Sequence, residues 1–216
     1  MSVSKAAYHQ LKAELDPKGV TIVAVSKTKP VEDILALYEL GHRDFGENYV
    51  QELVDKASQL PKDIRWHFIG HLQSNKVKLI TPSVQLIHGV DSLKLLQEIN
   101  KQAAKAGRVQ DCLLQVHIAR EETKFGLDEE ELNSILSQYD KLVAVRVCGL
   151  MGMASFTSDM DKVRSEFGKL RSIFDKLRTA NSELSILSMG MSADHKIAIE
   201  EGSNMVRIGS LLFSER

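Results

Sequence analysis

Apolar residues recur along the chain in two alternating patterns: short runs of β-branched and other apolar residues, and stretches with apolar positions three and four apart. The first helical stretch, 4–15, carries Ala7, Leu11 and Leu15 and stops at Asp16-Pro17-Lys18-Gly19. The first strand, 20–26, reads as buried on both faces and breaks off at Lys27. The alternation then predicts helices over 31–40, 49–60, 73–80, 92–106, 128–139, 159–180 and 193–201. Strands fall between them at 44–48, 65–69, 84–90, 111–118, 142–150, 184–188 and 205–208. Strands alternating with helices imply parallel pairing through crossover helices. Eight units in 216 residues predict a (β/α)₈ TIM barrel with an N-terminal helix, forming one domain over 1–216. The alternative is an open doubly wound sheet. That fold usually carries a glycine-rich loop after its first strand, and Ser26-Lys27-Thr28-Lys29-Pro30 has no glycine.

In a barrel, the loops that follow the strands share one rim, and that rim carries the chemistry. Lys27 follows the first strand, Glu47 and Asn48 the second, and Gly70, His71 and Gln73 the third. Lys124 and Gly126 follow the fifth, Met151-Gly152-Met153 the sixth, and Gly190-Met191-Ser192 the seventh. Arg207, Gly209 and Ser210 end the eighth. Lys27 alone reads as a solvated strand cap or, beside a dry core, as a neutral amine able to attack a carbonyl. Ser192 opens the predicted helix 193–201, and Gly209 allows a close backbone approach. Singly, these two read as an N-cap and a turn. Together they stand in the two loops where such barrels build phosphate sites.

Other features narrow the classes. A net charge of −1 gives no basic field for nucleic acid or anionic membrane, and no apolar run spans a bilayer. The N-terminus lacks a signal-peptide core. Cys112 and Cys148 lie in apolar runs and read as buried free thiols of a reducing cytoplasm. His67 and His71 are four apart, but His67 lies in a strand, so it reads as a hydrogen-bonded core histidine and not a metal ligand. Methionines 151, 153, 189, 191 and 205 read as core and rim packing.

Several stretches, in order, resemble a known family. They are Ala24-Val25-Ser26-Lys27-Thr28-Lys29, Phe45-Gly46-Glu47-Asn48-Tyr49-Val50-Gln51-Glu52, His67-Phe68-Ile69-Gly70-His71-Leu72-Gln73-Ser74-Asn75-Lys76, Thr123-Lys124-Phe125-Gly126, Gly149-Leu150-Met151, Met189-Gly190-Met191-Ser192-Ala193-Asp194 and Val206-Arg207-Ile208-Gly209. The chain resembles the pyridoxal 5′-phosphate homeostasis proteins, the YggS-like family, which are related to the N-terminal barrel of alanine racemase. The resemblance implies a fold-type III barrel holding pyridoxal 5′-phosphate as an internal aldimine on Lys27. It implies that Ser192, Gly209 and Ser210 hold the phosphate, that Arg207 faces the pyridine nitrogen and that Asn48 lies near the ring. Two departures stand out. The helix before the first strand is shorter than is usual, which leaves closure of the barrel at that end open. The tail has Ser210 where many members have threonine, and Ser214 where many have glycine.

The function the resemblance implies is a monomeric, cytoplasmic carrier and buffer of pyridoxal phosphate, without turnover, that hands its cofactor to apoenzymes. An arginine cannot accept the ring proton, so the ring is a weak electron sink. The competing reading is a racemase of small amino acids, which needs acid/base groups on both faces of the α-carbon. In the related racemases one of these is a tyrosine from a second domain. No such domain is expected after the eighth strand, and Tyr8, Tyr38, Tyr49 and Tyr139 all read as helix residues. A third reading is an interaction module whose cofactor is structural or regulatory.

Overall fold

The apolar run after Gly19 forms β1 (Thr21–Val25), in a computed structural model that describes residues 3–119, 125–180 and 183–213. Seven further strands follow: β2 (Asp44–Glu47), β3 (Arg65–Phe68), β4 (Val84–Val90), β5 (Gln110–Gln115), β6 (Val145–Met151), β7 (Ile186–Met191) and β8 (Met205–Ile208). Each pairs in parallel with the next. β8 returns to β1 in the register Thr21 to Met205 and Ala24 to Ile208. The sheet is therefore a closed barrel, and the open-sheet alternative is excluded. No edge is left to template unwanted pairing.

The crossovers are α2 (Val31–Glu39), α3 (Val50–Gln59), α4 (Val77–Ile80), α5 (Leu93–Lys105), α6 (Glu129–Leu136), α7 (Met160–Ala180) and α8 (His195–Glu200). A barrel needs an eighth helix between β8 and β1, and α1 (Lys5–Leu15) supplies it from the front of the chain. Tyr8, Leu11 and Leu15 join the same buried cluster as Ile22, Ala24, Leu212 and Phe213. Ser4 caps α1 through its hydroxyl, and its N–H donates to Leu212 O at 2.9 Å. The short first helix thus closes the barrel that the sequence left open.

The core has two compartments, as strands buried on both faces require. Most apolar residues lie between barrel and helices. Inside, Val23, Leu86, Leu113, Cys148, Met151 and Met205 form a separate cluster. At the N-terminal end, Arg65 Nε bonds Asp44 Oδ1 at 2.7 Å, and Arg146 holds Asp111 with two bonds of 2.8 Å. Cys112 and Cys148 are buried free thiols. Among the described residues, no helix is long and apolar enough to cross a membrane, and no cluster of acidic, histidine or cysteine side chains could hold a metal.

Among the boundaries that differ from expectation, three stand out. Residues 142–144 do not belong to β6, because Tyr139–Lys141 forms a 3₁₀ turn and Val143 stays exposed. β7 runs through Gly190 to Met191, where pairing to Arg207 continues. α8 accordingly begins at His195 and not at 193.

Candidate functional site

The C-terminal rim collects the sequence-predicted residues, and each loop is shaped by contacts that the motifs do not reveal. Lys27 lies in a turn closed by Lys29 N donating to Ser26 O at 3.0 Å. Of the two readings of Lys27, the solvated strand cap agrees with its exposure, since the strand ends at Val25. Thr28 follows at φ 63°, a left-handed conformation unusual for a β-branched residue.

A buried ionic cluster holds this turn. Lys56 Nζ donates to Glu47 Oε1 at 2.7 Å, Glu52 Oε1 at 2.6 Å and Ser26 O at 2.8 Å. Ser26 Oγ donates to Glu47 Oε1 at 2.6 Å, and Thr28 N to Glu52 Oε1 at 2.6 Å. Burial pushes the Glu47 carboxyl up, against the hydrogen bonds from Lys56 and Ser26. The turn bearing Lys27 is thus tied to β2 and α3 by charge-assisted bonds.

Asn48, at the end of β2, is half-buried, and its Oδ1 is buried without a partner among the described residues. Gly70 packs against its backbone, where a Cβ would sit 2.3 Å from Asn48 O, so only glycine fits. Tyr49 is not helical as expected. It precedes α3 and is 58% exposed on the rim. His71 bonds Asp91 at 3.0 Å and stacks on Phe125 at 4.4 Å. Lys124 lies outside the described residues.

The β7 and β8 loops are joined directly. Gly209 N donates to Ser192 Oγ at 3.2 Å. Taken singly, Ser192 reads as a helix N-cap. It stands three residues before α8 instead, and Asp194 Oδ1 takes the Met191 N–H. Gly190, at φ +94°, brings the chain against α8, where a Cβ would meet Ala198 Cβ at 2.5 Å. Ser210 is exposed beside Gly209.

Arg207 points into the barrel and is 4% exposed. Its Nη1 donates to Ser188 O at 3.0 Å and Ser188 Oγ at 2.7 Å, and its Nη2 to Gly152 O at 3.1 Å. Burial pushes the guanidinium down to about 10, which still leaves it charged at neutral pH. His67 is a core histidine, as expected, bonded to His88 at 3.0 Å and Asp44 at 3.1 Å. Sequence reasoning missed the roles of Ser188, His88, Glu52 and Lys56, and placed Glu47 on the rim without its buried ion pair. Strand parity marks Ser188 and His88 as interior, but their partners lie far away in sequence.

The model of the alanine racemase N-terminal domain matches residues 4–216. A pyridoxal phosphate homeostasis protein of Aquifex aeolicus is 45% identical over 197 residues, covering 90% of this chain and 86% of that protein. One from Vibrio alginolyticus is 39% identical over 218 residues, covering 99% and 94%. PipY of Synechococcus elongatus, 34% identical, has been solved without and with PLP. The two structures match at TM-scores of 0.92 and 0.89, each covering 97% of this chain and 99% of that one. With a barrel of the same topology and near-complete matches in sequence and structure, the chain belongs to the alanine racemase N-terminal domain family, alongside the pyridoxal phosphate homeostasis proteins.

Proposed function

We propose that the protein binds pyridoxal 5′-phosphate at the C-terminal mouth of its barrel and serves as a carrier and buffer of that cofactor. The observation that carries this reading is the joining of the β7 and β8 loops through Ser192 and Gly209, above an inward Arg207 and beside the Lys27 turn. The near-complete similarity to PipY, solved with PLP, supports it. The residues present fit the group, since Asn48 carries a buried oxygen with no partner among the described residues. When bound, pyridoxal 5′-phosphate supplies an aldehyde that condenses with an amine and a phosphate that anchors it.

Lys27 supplies the amine. Ser192, Gly209 and Ser210 would hold the phosphate, the two serines through their hydroxyls, and Asn48 would lie by the ring. Arg207 would face the ring nitrogen as an N–H donor and, having no acceptor, would leave that nitrogen unprotonated. That environment withholds electron-sink chemistry and suits storage without turnover. The protein acts as a cytoplasmic monomer that releases its cargo to apoenzymes. The buried free thiols support that compartment.

One observation favours a second reading, a racemase of small amino acids: Tyr49 stands exposed on the rim, where a second acid/base group is needed. Circular dichroism of L-alanine and L-serine separates the two. The carrier reading predicts racemisation no faster than with free cofactor at equal concentration. Turnover about 10²-fold above that rate, lost in Lys27→Ala and Tyr49→Phe, establishes the racemase. A protein that does not bind pyridoxal 5′-phosphate refutes both.

A further inference from the structure

Within the barrel, polar side chains run in an unbroken line from beneath the mouth to the opposite end. Arg207 on β8 donates to Ser188 Oγ on β7 at 2.7 Å. Ser188 Oγ lies 3.2 Å from His88 Nδ1 on β4, across the barrel. His88 Nε2 lies 3.0 Å from His67 Nδ1 on β3, and His67 Nε2 lies 3.1 Å from Asp44 Oδ1 on β2. Asp44 also takes Arg65 Nε at 2.7 Å. Ser188 and His88 are 0% exposed and His67 is 3% exposed.

Counting hydrogens gives the line a direction. Arginine only donates, and a carboxylate only accepts. Ser188 Oγ receives Arg207, so its single hydrogen is free for His88 Nδ1. That nitrogen is then bare, and His88 carries its hydrogen on Nε2, which donates to His67 Nδ1. His67 likewise carries its hydrogen on Nε2, which donates to Asp44. From Ser188 to Asp44, every side-chain donor in the line meets an acceptor. In the reverse arrangement His88 Nδ1–H takes the second lone pair of Ser188 Oγ. The serine hydrogen then has no acceptor among the described residues, and His67 must hold two hydrogens. That arrangement also adds a second positive charge to the interior that holds Arg207, at high cost in a medium of low dielectric.

We propose that Ser188, His88, His67 and Asp44 are positioning residues: a one-way hydrogen-bonded column, with both histidines protonated on Nε2 only, that fixes the Arg207 guanidinium beneath the mouth. The column explains how a buried arginine is held without a carboxylate in contact. Its direct acceptors are Ser188 and the Gly152 carbonyl, so its charge is not cancelled at short range and stays available to a ligand above. Asp44, the negative end, is separated from it by two neutral rings. The consequence for cofactor binding rests on the pyridoxal phosphate reading, whereas the column itself does not.

The first test needs no cofactor. Long-range ¹H–¹⁵N spectra of the cofactor-free protein, labelled at histidine and held at pH 7.5, should show His67 and His88 each with a protonated Nε2 and a bare Nδ1. A hydrogen on His88 Nδ1, or a doubly protonated His67, overturns the column. The second test compares His88→Gln, which keeps one donor and one acceptor, with His88→Leu, which keeps neither. With cooperative melting retained, His88→Leu should weaken pyridoxal 5′-phosphate binding up to about tenfold, the upper worth of a neutral hydrogen bond, and His88→Gln should restore most of it. If His88→Leu does not fold, Ser188→Ala breaks the column at its next joint and should weaken binding to a similar degree. Wild-type affinity in the broken variants refutes the positioning role. Failure of the wild-type protein to bind at all refutes the function proposed above, and the imidazole spectra still decide the column.

Discussion

Lys56 shows how much a single side chain decides at this site. It is buried with Glu47, and its three bonds join the Lys27 turn to β2 and α3. Removing one member of a buried pair leaves an uncompensated charge, which typically costs ~3–5 kcal/mol. Lys56→Met is therefore expected to lower stability by that amount in urea unfolding, and Lys56→Met with Glu47→Gln should recover a large part. A loss for the single variant no greater than a surface change would contradict the cluster's role. The sequence shows Lys27 at a strand end and Glu47 at another. It does not show the cluster, because a lysine at helical spacing gives no sign of facing inward, and Ser26 lies thirty residues away. Thr28 is hidden for the same reason: its left-handed conformation is held by Glu52, twenty-four residues on.

At the scale of elements, the β7–α8 connection departs most from the sequence pattern. Gly190 looks like the end of a strand, yet pairing with β8 carries β7 to Met191, and Asp194 rather than Ser192 takes the freed backbone N–H. Ser192 is thereby left to bond Gly209 and bridge two loops. Taken alone, the sequence pattern reads Ser192 as a helix cap; in the structure it bridges the β7 and β8 loops instead. If this bridge holds a phosphate, Ser192→Ala should weaken pyridoxal 5′-phosphate binding by about 1–3 kcal/mol, and Ser210→Ala by the smaller end of that range, since only Ser192 also orders Gly209. Pyridoxal lacking the phosphate should bind far more weakly than either variant binds the phosphorylated form. Absorbance titration with both vitamers checks this, and equal affinities would remove the phosphate site.

For the molecule as a whole, the alternation of strand and helix patterns made the barrel legible, because each crossover leaves its own apolar stripe. What the pattern omitted is closure through α1, since nothing local says that the first helix fills the place after the last strand. The buried histidines also shape stability. His42 packs on Tyr8 and Phe45, and burial lowers it from 6.5 to about 4. His88 is pushed down as well, by burial first and then by His67 and Arg207. As pH falls through 6.5, the unfolded chain binds protons that the folded chain refuses, so stability is full above that pH and is lost towards pH 4. For His42 the loss is on the order of 3 kcal/mol. Denaturant unfolding at pH 7.5 and pH 4.5 should show it, and His42→Gln should shrink the difference. A pH-independent midpoint would contradict the burial of these rings.

The central claim is that this barrel holds pyridoxal 5′-phosphate on Lys27. Borohydride reduction of the protein incubated with the cofactor, followed by peptide mass mapping, tests it most directly. The account predicts one stoichiometric adduct, on the peptide containing Lys27, together with a yellow absorbance band that Lys27→Ala abolishes while the protein stays folded. An adduct on another lysine, with the band unchanged in Lys27→Ala, would contradict it.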